Sequence, residues 1–182
     1  PPGELYNQGL AFMAEGDLRR AIQSFEEVDR QHPYSEWAQK AHVMMMFAEF
    51  RHEDYDETIQ TARRYLALYP SSEDAAYAQY LIAASHYDQI PDISRDQGRT
   101  EKAIAALEEV IRKYPTSEYA NAAKAKLEGA RDQLAGKEMD VGRYYLQRKQ
   151  YLAAIRTAYN EASRGAHAAL NACKPCSVGS AP

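Results

Sequence analysis

The sequence predicts an all-α fold in which antiparallel helix pairs stack along the chain. Residues 15–33, 52–70 and 97–115 share one pattern: each segment ends in proline and carries an apolar or small residue eight and twelve positions earlier. Along the chain, apolar residues recur at the three- and four-residue spacing of helices, while the alternation typical of strands is nearly absent. Recurrence at a fixed period indicates a repeat architecture, so we expect about four helix pairs, the last of them incomplete.

The first repeat, about residues 2–33, shows the unit most clearly. Gly16 is expected to end its first helix, and Asp17 is expected to cap its second. Small residues at Gly9 and Ala21 should let the two helices approach closely while aromatic rings fill the space between them. A helix–turn–helix unit of roughly 34 residues is typical of tetratricopeptide repeats, whose antiparallel pairs form a superhelix.

The later repeats are expected at about residues 35–70, 72–115 and 117–156. The third contains an extra loop, at 88–99, before its second helix. The first helix of the fourth repeat is predicted to be long, running from about 117 to 148 without an internal proline. The pattern then fails where the closing proline would fall, so the unfinished repeat should leave an apolar edge that another element covers.

The domain boundary follows from where the pattern stops. Residues 1–156 are predicted to be the repeat domain, and residues 157–182, rich in Ala, Ser and Gly, a divergent and partly disordered tail.

The tail contains a C-x-x-C motif, Cys173 to Cys176, which is typical of a redox dithiol. No strand precedes it, and a zinc site would need four ligands, so we interpret the two thiols as incidental.

Composition and motifs exclude several functional classes. The net charge is −4 and no basic stripe is present, which argues against nucleic acid as a partner. No apolar run approaches the roughly 20 residues that cross a bilayer. The five histidines are dispersed and no catalytic motif is present. The sequence therefore predicts a non-enzymatic binding protein with no cofactor and no metal site.

A binding function is expected in the groove that the first helix of each pair lines. By repeat position its lining is aromatic and aliphatic with a few cations, which suits an extended or helical peptide with apolar side chains. The alternative is that some of these side chains only make contacts between repeats. The candidates are Tyr6, Leu10, Met13, Phe47, Phe50, Arg51, Tyr80 and Tyr87 from the first three repeats, with Met139, Arg143 and Leu146 from the fourth.

Two segments carry a resemblance to a known family. Residues 114–155 include the block "LAGKEMDVGRYYL" at 134–146, and residues 88–115 contain the loop "DQIPDISRDQGR" followed by a helix. Both segments, like the opening of the chain, resemble the BamD family, outer-membrane lipoproteins of the β-barrel assembly machinery. The resemblance covers about residues 2–155 and is much more specific than a general tetratricopeptide pattern.

The resemblance implies a stack of five repeats that acts as a scaffold at the periplasmic face of the outer membrane. The chain would be held there by a lipid on an N-terminal cysteine that is absent here. The N-terminal repeats would receive unfolded outer-membrane proteins by their C-terminal segment. The C-terminal repeats would dock on the periplasmic POTRA domain of BamA and on companion lipoproteins. The basic candidates for docking are Arg143, Arg148 and Arg156, although the resemblance itself ends near residue 155.

Two other classes of repeat protein share parts of the pattern. A Tol–Pal-associated periplasmic adaptor of cell division uses junctions like those at 33–38 and 114–120, but it lacks the "LAGKEM" block. A cytosolic chaperone adaptor clamps an acidic C-terminus with Lys and Asn residues on its first helices. This chain has Tyr6 and Leu10 at the corresponding positions, which argues against that class. The sequence therefore favours the BamD-like scaffold, with the periplasmic adaptor as the alternative.

Overall fold

The computed structural model describes residues 1–90 and 97–160, and every regular element in that part of the chain is helical. Seven helices have both ends within the described residues, and residues 151–160 belong to a further helix that follows them. Part of the predicted extra loop and most of the predicted tail lie outside those residues. The seven helices are α1 Pro2–Ala14, α2 Leu18–Gln31, α3 Glu36–Arg51, α4 Tyr55–Leu68, α5 Ala75–Asp88, α6 Gln97–Lys113 and α7 Glu118–Gln147.

The helices pair and stack as the repeat pattern predicts. Helix α1 packs on α2, α3 on α4 and α5 on α6, and the pairs stack because α2 also packs on α3 and α4 on α5. The first helices contact one another, α1 with α3 and α3 with α5, so they form one side of the stack, here called the inner side. The predicted stack of tetratricopeptide-like helix pairs is confirmed.

The chain divides into two compact units, Pro1–Ala130 and Arg131–Pro182. The first unit contains α1 to α6 and the beginning of α7. The described part of the second unit contains the rest of α7, the turn after it and residues 151–160. The long helix expected from about 117 to 148 is present as α7.

Close packing in the first repeat depends on one glycine. A Cβ atom on Gly9 would lie 2.6 Å from Cε1 of Phe25, whose ring is fully buried. Ala21 is also fully buried on α2. The expected close approach of α1 and α2 is confirmed, and Phe25 fills the space between them. The Asp17 carboxylate caps α2 by accepting a hydrogen bond from the Arg20 N–H at 3.1 Å, as the sequence also predicts.

The turns inside the first, second and fourth repeats each place one residue in the left-handed region. Gly16 has φ of 80°, Glu53 of 67° and Lys149 of 60°. After α1 and after α3, the residue that follows the left-handed one donates its N–H back into the helix. The Asp54 N–H, for example, donates to the Glu49 carbonyl at 3.0 Å. This is the helix-ending geometry that glycine adopts without strain, and a side chain there costs about 1 kcal/mol.

Replacing Glu53 by glycine is therefore expected to raise the free energy of unfolding by about 1 kcal/mol, because the backbone already holds a conformation that glycine prefers. Urea denaturation at neutral pH measures the change. The matched control is Gln60→Gly on the exposed side of α4, where glycine should lower stability by a similar amount. A Glu53→Gly variant that loses as much stability as Gln60→Gly would contradict this account of the turn.

Candidate functional site

The groove candidates on α1 form one stripe along the helix. Tyr6, Leu10 and Met13 follow one another at i, i+4 and i+7. The Tyr6 ring centroid lies 5.6 Å from that of Phe25 and 5.4 Å from that of Trp37 on α3, and burial raises the pKa of its phenol. Met13 packs against the same cluster, whereas Leu10 is 36% exposed. Two of the three side chains therefore hold α1 in place, and Leu10 is open to solvent.

The candidates on α3 divide between the open surface and the contact with α4. The Arg51 guanidinium carbon lies 5.7 Å from the centre of the half-buried Phe47 ring. Arg51 is exposed and makes no ion pair within the part of the chain that the structure describes. The Phe50 ring instead packs on Tyr55 of α4, with 5.7 Å between centroids. Phe47 and Arg51, one helical turn apart on α3, thus form a cation–π pair.

The candidates on α5 contact the first helix of the next repeat. The Tyr80 ring centroid is 5.6 Å from that of Tyr119 on α7, and Tyr77 packs on the same ring at 5.2 Å. The Lys126 ammonium lies 4.5 Å from the centre of the Tyr87 ring. Both candidate tyrosines therefore take part in contacts between repeats, and each remains half-exposed.

The candidates of the fourth repeat lie in the second unit. Arg143 is 3.7 Å from the Asp140 carboxylate, and Arg148 lies 4.6 Å from the centre of the Tyr144 ring, while Arg156 is exposed. Large apolar side chains are also exposed here, as the unfinished repeat predicts. They are Met139, Val141, Tyr144, Leu146, Tyr151, Leu152, Ile155 and Tyr159.

A second groove, of about 590 Å³, lies between α4 and α6, with α5 as its floor; it is here called the outer groove. Sequence reasoning missed it, because the repeat pattern assigns binding to the first helices only. Helical spacing on α6 was an available signal, since the lining side chains of that helix recur at three- and four-residue intervals. The lining residues are Arg63, Leu66, Gln79, Ile82, His86, Lys102, Ala105, Ala106, Glu109 and Lys113.

Two buried side chains have shifted pKa values but line neither groove. His42, 1% exposed, places Nε2 3.5 Å from the Asp29 carboxylate, which forms an ion pair with Arg64 at 2.9 Å. Burial lowers the pKa of His42. The Thr61 hydroxyl donates to Glu49 Oε1 at 3.0 Å, the other carboxylate oxygen has no partner, and burial raises the pKa of Glu49 to about 7. Both groups join neighbouring helices, which is a structural role.

Neither metal nor membrane-spanning features occur in the two described ranges of the chain. No three His, Cys, Asp or Glu side chains among residues 1–90 and 97–160 are placed to hold a metal ion. No helix of those ranges combines the length and apolarity needed to cross a membrane. The Cys173 to Cys176 motif lies outside the described residues.

Comparisons with known proteins identify relatives over most of the chain. A profile of the family YfiO, described as outer membrane lipoprotein, matches residues 1–161. The outer membrane protein assembly factor BamD of Caulobacter vibrioides is 46% identical over 151 residues, which are 83% of this chain and 50% of that protein. The BamD of Rickettsia prowazekii is 36% identical over 155 residues, 85% of this chain and 62% of that protein.

Among solved structures, a thermophilic TPR protein of Thermus thermophilus has a TM-score of 0.49 at 15% identity, over 88% of this chain and 90% of its own. That likeness adds nothing to the relationship shown by the sequences. The chain spans half the length of the Caulobacter relative and less than two thirds of the Rickettsia relative.

Proposed function

The chain belongs to the YfiO family of outer membrane lipoproteins, and from this premise we propose that it is a non-catalytic scaffold component of the machinery that assembles outer-membrane β-barrel proteins. The family match over residues 1–161 carries the proposal, since that range includes every helix whose bounds are given. The two relatives described above are named outer membrane protein assembly factors. The resemblance to the BamD family noted in the sequence is confirmed. In this proposal the full-length protein is held at the periplasmic face of the outer membrane by an N-terminal lipid.

We further propose that the inner side of the first unit receives the C-terminal segment of unfolded outer-membrane proteins. Leu10 and Phe47 offer apolar surface, and the nearby Arg51 guanidinium offers a charge-assisted hydrogen bond to a terminal carboxylate. Support comes from the exposure of Leu10 and from the lack of an ion pair at Arg51 within the described residues. Tyr80 and Tyr87 extend this surface along α5, while Tyr6, Met13 and Phe50 hold the helices beneath it.

Arg51→Gln is expected to weaken the binding of such a segment about tenfold, since a charged hydrogen bond contributes about 1.5 kcal/mol. The measurement is calorimetric titration with a peptide that copies the last strand of an outer-membrane β-barrel protein. The matched control is Arg112→Gln, which removes one exposed charge from α6 and should leave affinity within twofold of the parent. Equal losses from the two variants would contradict a role for Arg51 in recognition.

The second unit is proposed to dock on the periplasmic POTRA domain of BamA, with companion lipoproteins near it. Arg143, Arg148 and Arg156 are the basic groups proposed for this contact, and the exposed apolar side chains of the unit would add buried area. Support comes from the exposure of the three arginines. Membrane attachment needs only the N-terminal lipid in this proposal, and no nucleic acid takes part.

Replacing these three arginines together by glutamine is expected to weaken binding to the purified POTRA domains of BamA at least tenfold. The charge-matched control replaces Arg30, Arg112 and Lys124, which are exposed on the first unit. Surface plasmon resonance at two salt concentrations separates a specific contact from general attraction, since exposed charges are screened by salt. Indistinguishable losses in the two triple variants would remove these arginines from the docking surface.

A further inference from the structure

The outer groove between α4 and α6 has the chemistry of a binding site that the proposed function does not use. We propose that it binds an acidic, amphipathic peptide segment of a partner protein. The argument rests on the shape of the groove, on the unpaired cations at its edges and on the apolar floor between them. The outer groove shares helix α5 with the inner side, but none of the side chains that line it belongs to the proposed client-binding surface.

The shape follows from how the helix pairs stack. Helices α4 and α6 both pack on α5, but in the part of the chain that the structure describes they do not pack on each other. Small side chains on α6, Ala105 and Ala106, keep the space between them open. Its volume of about 590 Å³ lies in the range of ligand-binding pockets. The lining of α6 runs from Lys102 to Lys113, about 16 Å at the rise of an α-helix.

The charges of the outer groove oppose those of the whole chain. Three cations and one carboxylate line it, whereas the chain carries a net charge of −4. Lys113 pairs with the carboxylate, Glu109, at 2.6 Å. Arg63 on α4 and Lys102 on α6 are exposed and make no ion pair with any described residue. Two cations on facing helices are therefore available to a ligand.

His86 on the α5 floor lines the outer groove together with Arg63 and Lys102. Burial is the main cause that lowers the pKa of His86, and the nearby charges of Arg63 and Lys102 lower it further. Asp56 acts in the opposite direction, and its carboxylate accepts a hydrogen bond from Gln89 at 2.9 Å. Burial and the two cations thus both disfavour the charged form of His86 in this groove.

The apolar floor and the length of the groove distinguish a peptide from a small anion. Leu66 of α4, Ile82 of α5 and Ala105 of α6 line the same groove as the cations, and an inorganic anion would leave this apolar lining uncovered. A peptide that places Glu or Asp beside Leu or Ile would satisfy the cations and cover the floor together. The chain's own residues 161–182 are a poor match, because they contain one acidic residue against Arg164 and Lys174.

The test measures the fluorescence anisotropy of a labelled 14-residue probe in the presence of the intact chain. In this probe, Glu and Leu each recur at three- and four-residue spacing. A second probe replaces every Glu by Lys. We expect saturable binding of the acidic probe only. The double variant Arg63→Gln/Lys102→Gln should weaken binding at least tenfold. The control Arg112→Gln/Lys124→Gln removes the same charge from exposed sites outside the groove and should change affinity less than twofold.

A substitution that leaves the charge of the chain unchanged distinguishes binding in the outer groove from general electrostatic attraction. Ala105 is exposed, so Ala105→Trp should fill the outer groove without unfolding the helix, and binding of the acidic probe should be lost. Circular dichroism verifies the fold of each variant. Equal losses in the two double variants, unchanged binding by Ala105→Trp, or binding of both probes would overturn the proposal. Displacement of the probe by inorganic phosphate, at an ionic strength where chloride has no effect, would identify a small-anion site instead.

Discussion

At pH 8, Glu49→Gln is expected to raise the free energy of unfolding by about 3 kcal/mol relative to the parent chain. Glu49 is 4% exposed, and one of its carboxylate oxygens has no hydrogen-bond partner among the described residues. Burial raises its pKa from the ordinary 4.5 to about 7, with smaller contributions from Glu26, Glu57 and Asp54. A glutamine keeps the oxygen that accepts from Thr61 and never has to be ionised in the core.

The sign of the pH dependence follows from which state binds the proton. Between pH 4.5 and about 7 the folded chain holds a proton on Glu49 that the unfolded chain has released. Stability from this group is therefore present below the unfolded pKa and is lost as pH rises through the folded pKa. The advantage of Glu49→Gln should accordingly be near zero at pH 4.5 and grow towards pH 8.

Urea denaturation of the parent and the variant across this pH range measures the effect. The control is Glu101→Gln, an exposed carboxylate on α6, which should track the parent at every pH. A gap between parent and Glu49→Gln that is the same at pH 4.5 and pH 8 would show that folding does not raise the pKa of Glu49, and would contradict the burial of its carboxyl group.

Gly9→Ala is expected to lower the free energy of unfolding by about 2 kcal/mol, although alanine is the better helix former. The new Cβ would meet three atoms of the Phe25 ring at 2.6, 2.8 and 2.9 Å. That ring is fully buried and lies against Tyr6, so it has no free space to move into. The steric cost therefore outweighs the gain of about 1 kcal/mol in helix propensity.

The matched control is Gly136→Ala in α7, where an added Cβ has no neighbour within 4 Å. This variant should be more stable than the parent by up to about 1 kcal/mol. The double variant Gly9→Ala/Phe25→Leu should lose less stability than the sum of its single changes, because leucine makes room at the point of contact. Thermal and urea unfolding of the parent, the two single variants, the double variant and Gly136→Ala measure these effects, and strict additivity would refute the proposed clash.

Much of the fold was predictable because the repeat pattern reports packing directly. The spacing of Gly9, Ala21 and Phe25 predicted the close contact of α1 with α2, and the structure has it. The absence of proline between residues 117 and 148 predicted the long α7. The sequence also left open that some groove candidates make contacts between repeats, and Tyr80 makes such a contact with Tyr119.

Two features depend on three-dimensional packing that the repeat pattern does not describe. The outer groove exists because two second helices stay apart, and the separation of α4 from α6 depends on how α5 packs between them. Glu49 belongs to a helix that is buried on several sides, including Met45, Met46 and Ala48, so no amphipathic pattern marks its carboxyl as buried. The candidate surface was predictable as a stripe of residue types, but which of its side chains are open to solvent depends on packing.

Site-specific photo-crosslinking tests the central claim most directly, namely that the inner side of the first unit receives client segments. A photoreactive amino acid replaces Leu10, 36% exposed on α1, or in a matched chain Leu68, 43% exposed on the second helix α4. Each chain is illuminated with a peptide copying the last strand of an outer-membrane β-barrel protein, and with its scrambled form. We predict a crosslink from position 10 to the authentic peptide only, and none from position 68. Equal crosslinking from both positions, or none from position 10, would contradict the account.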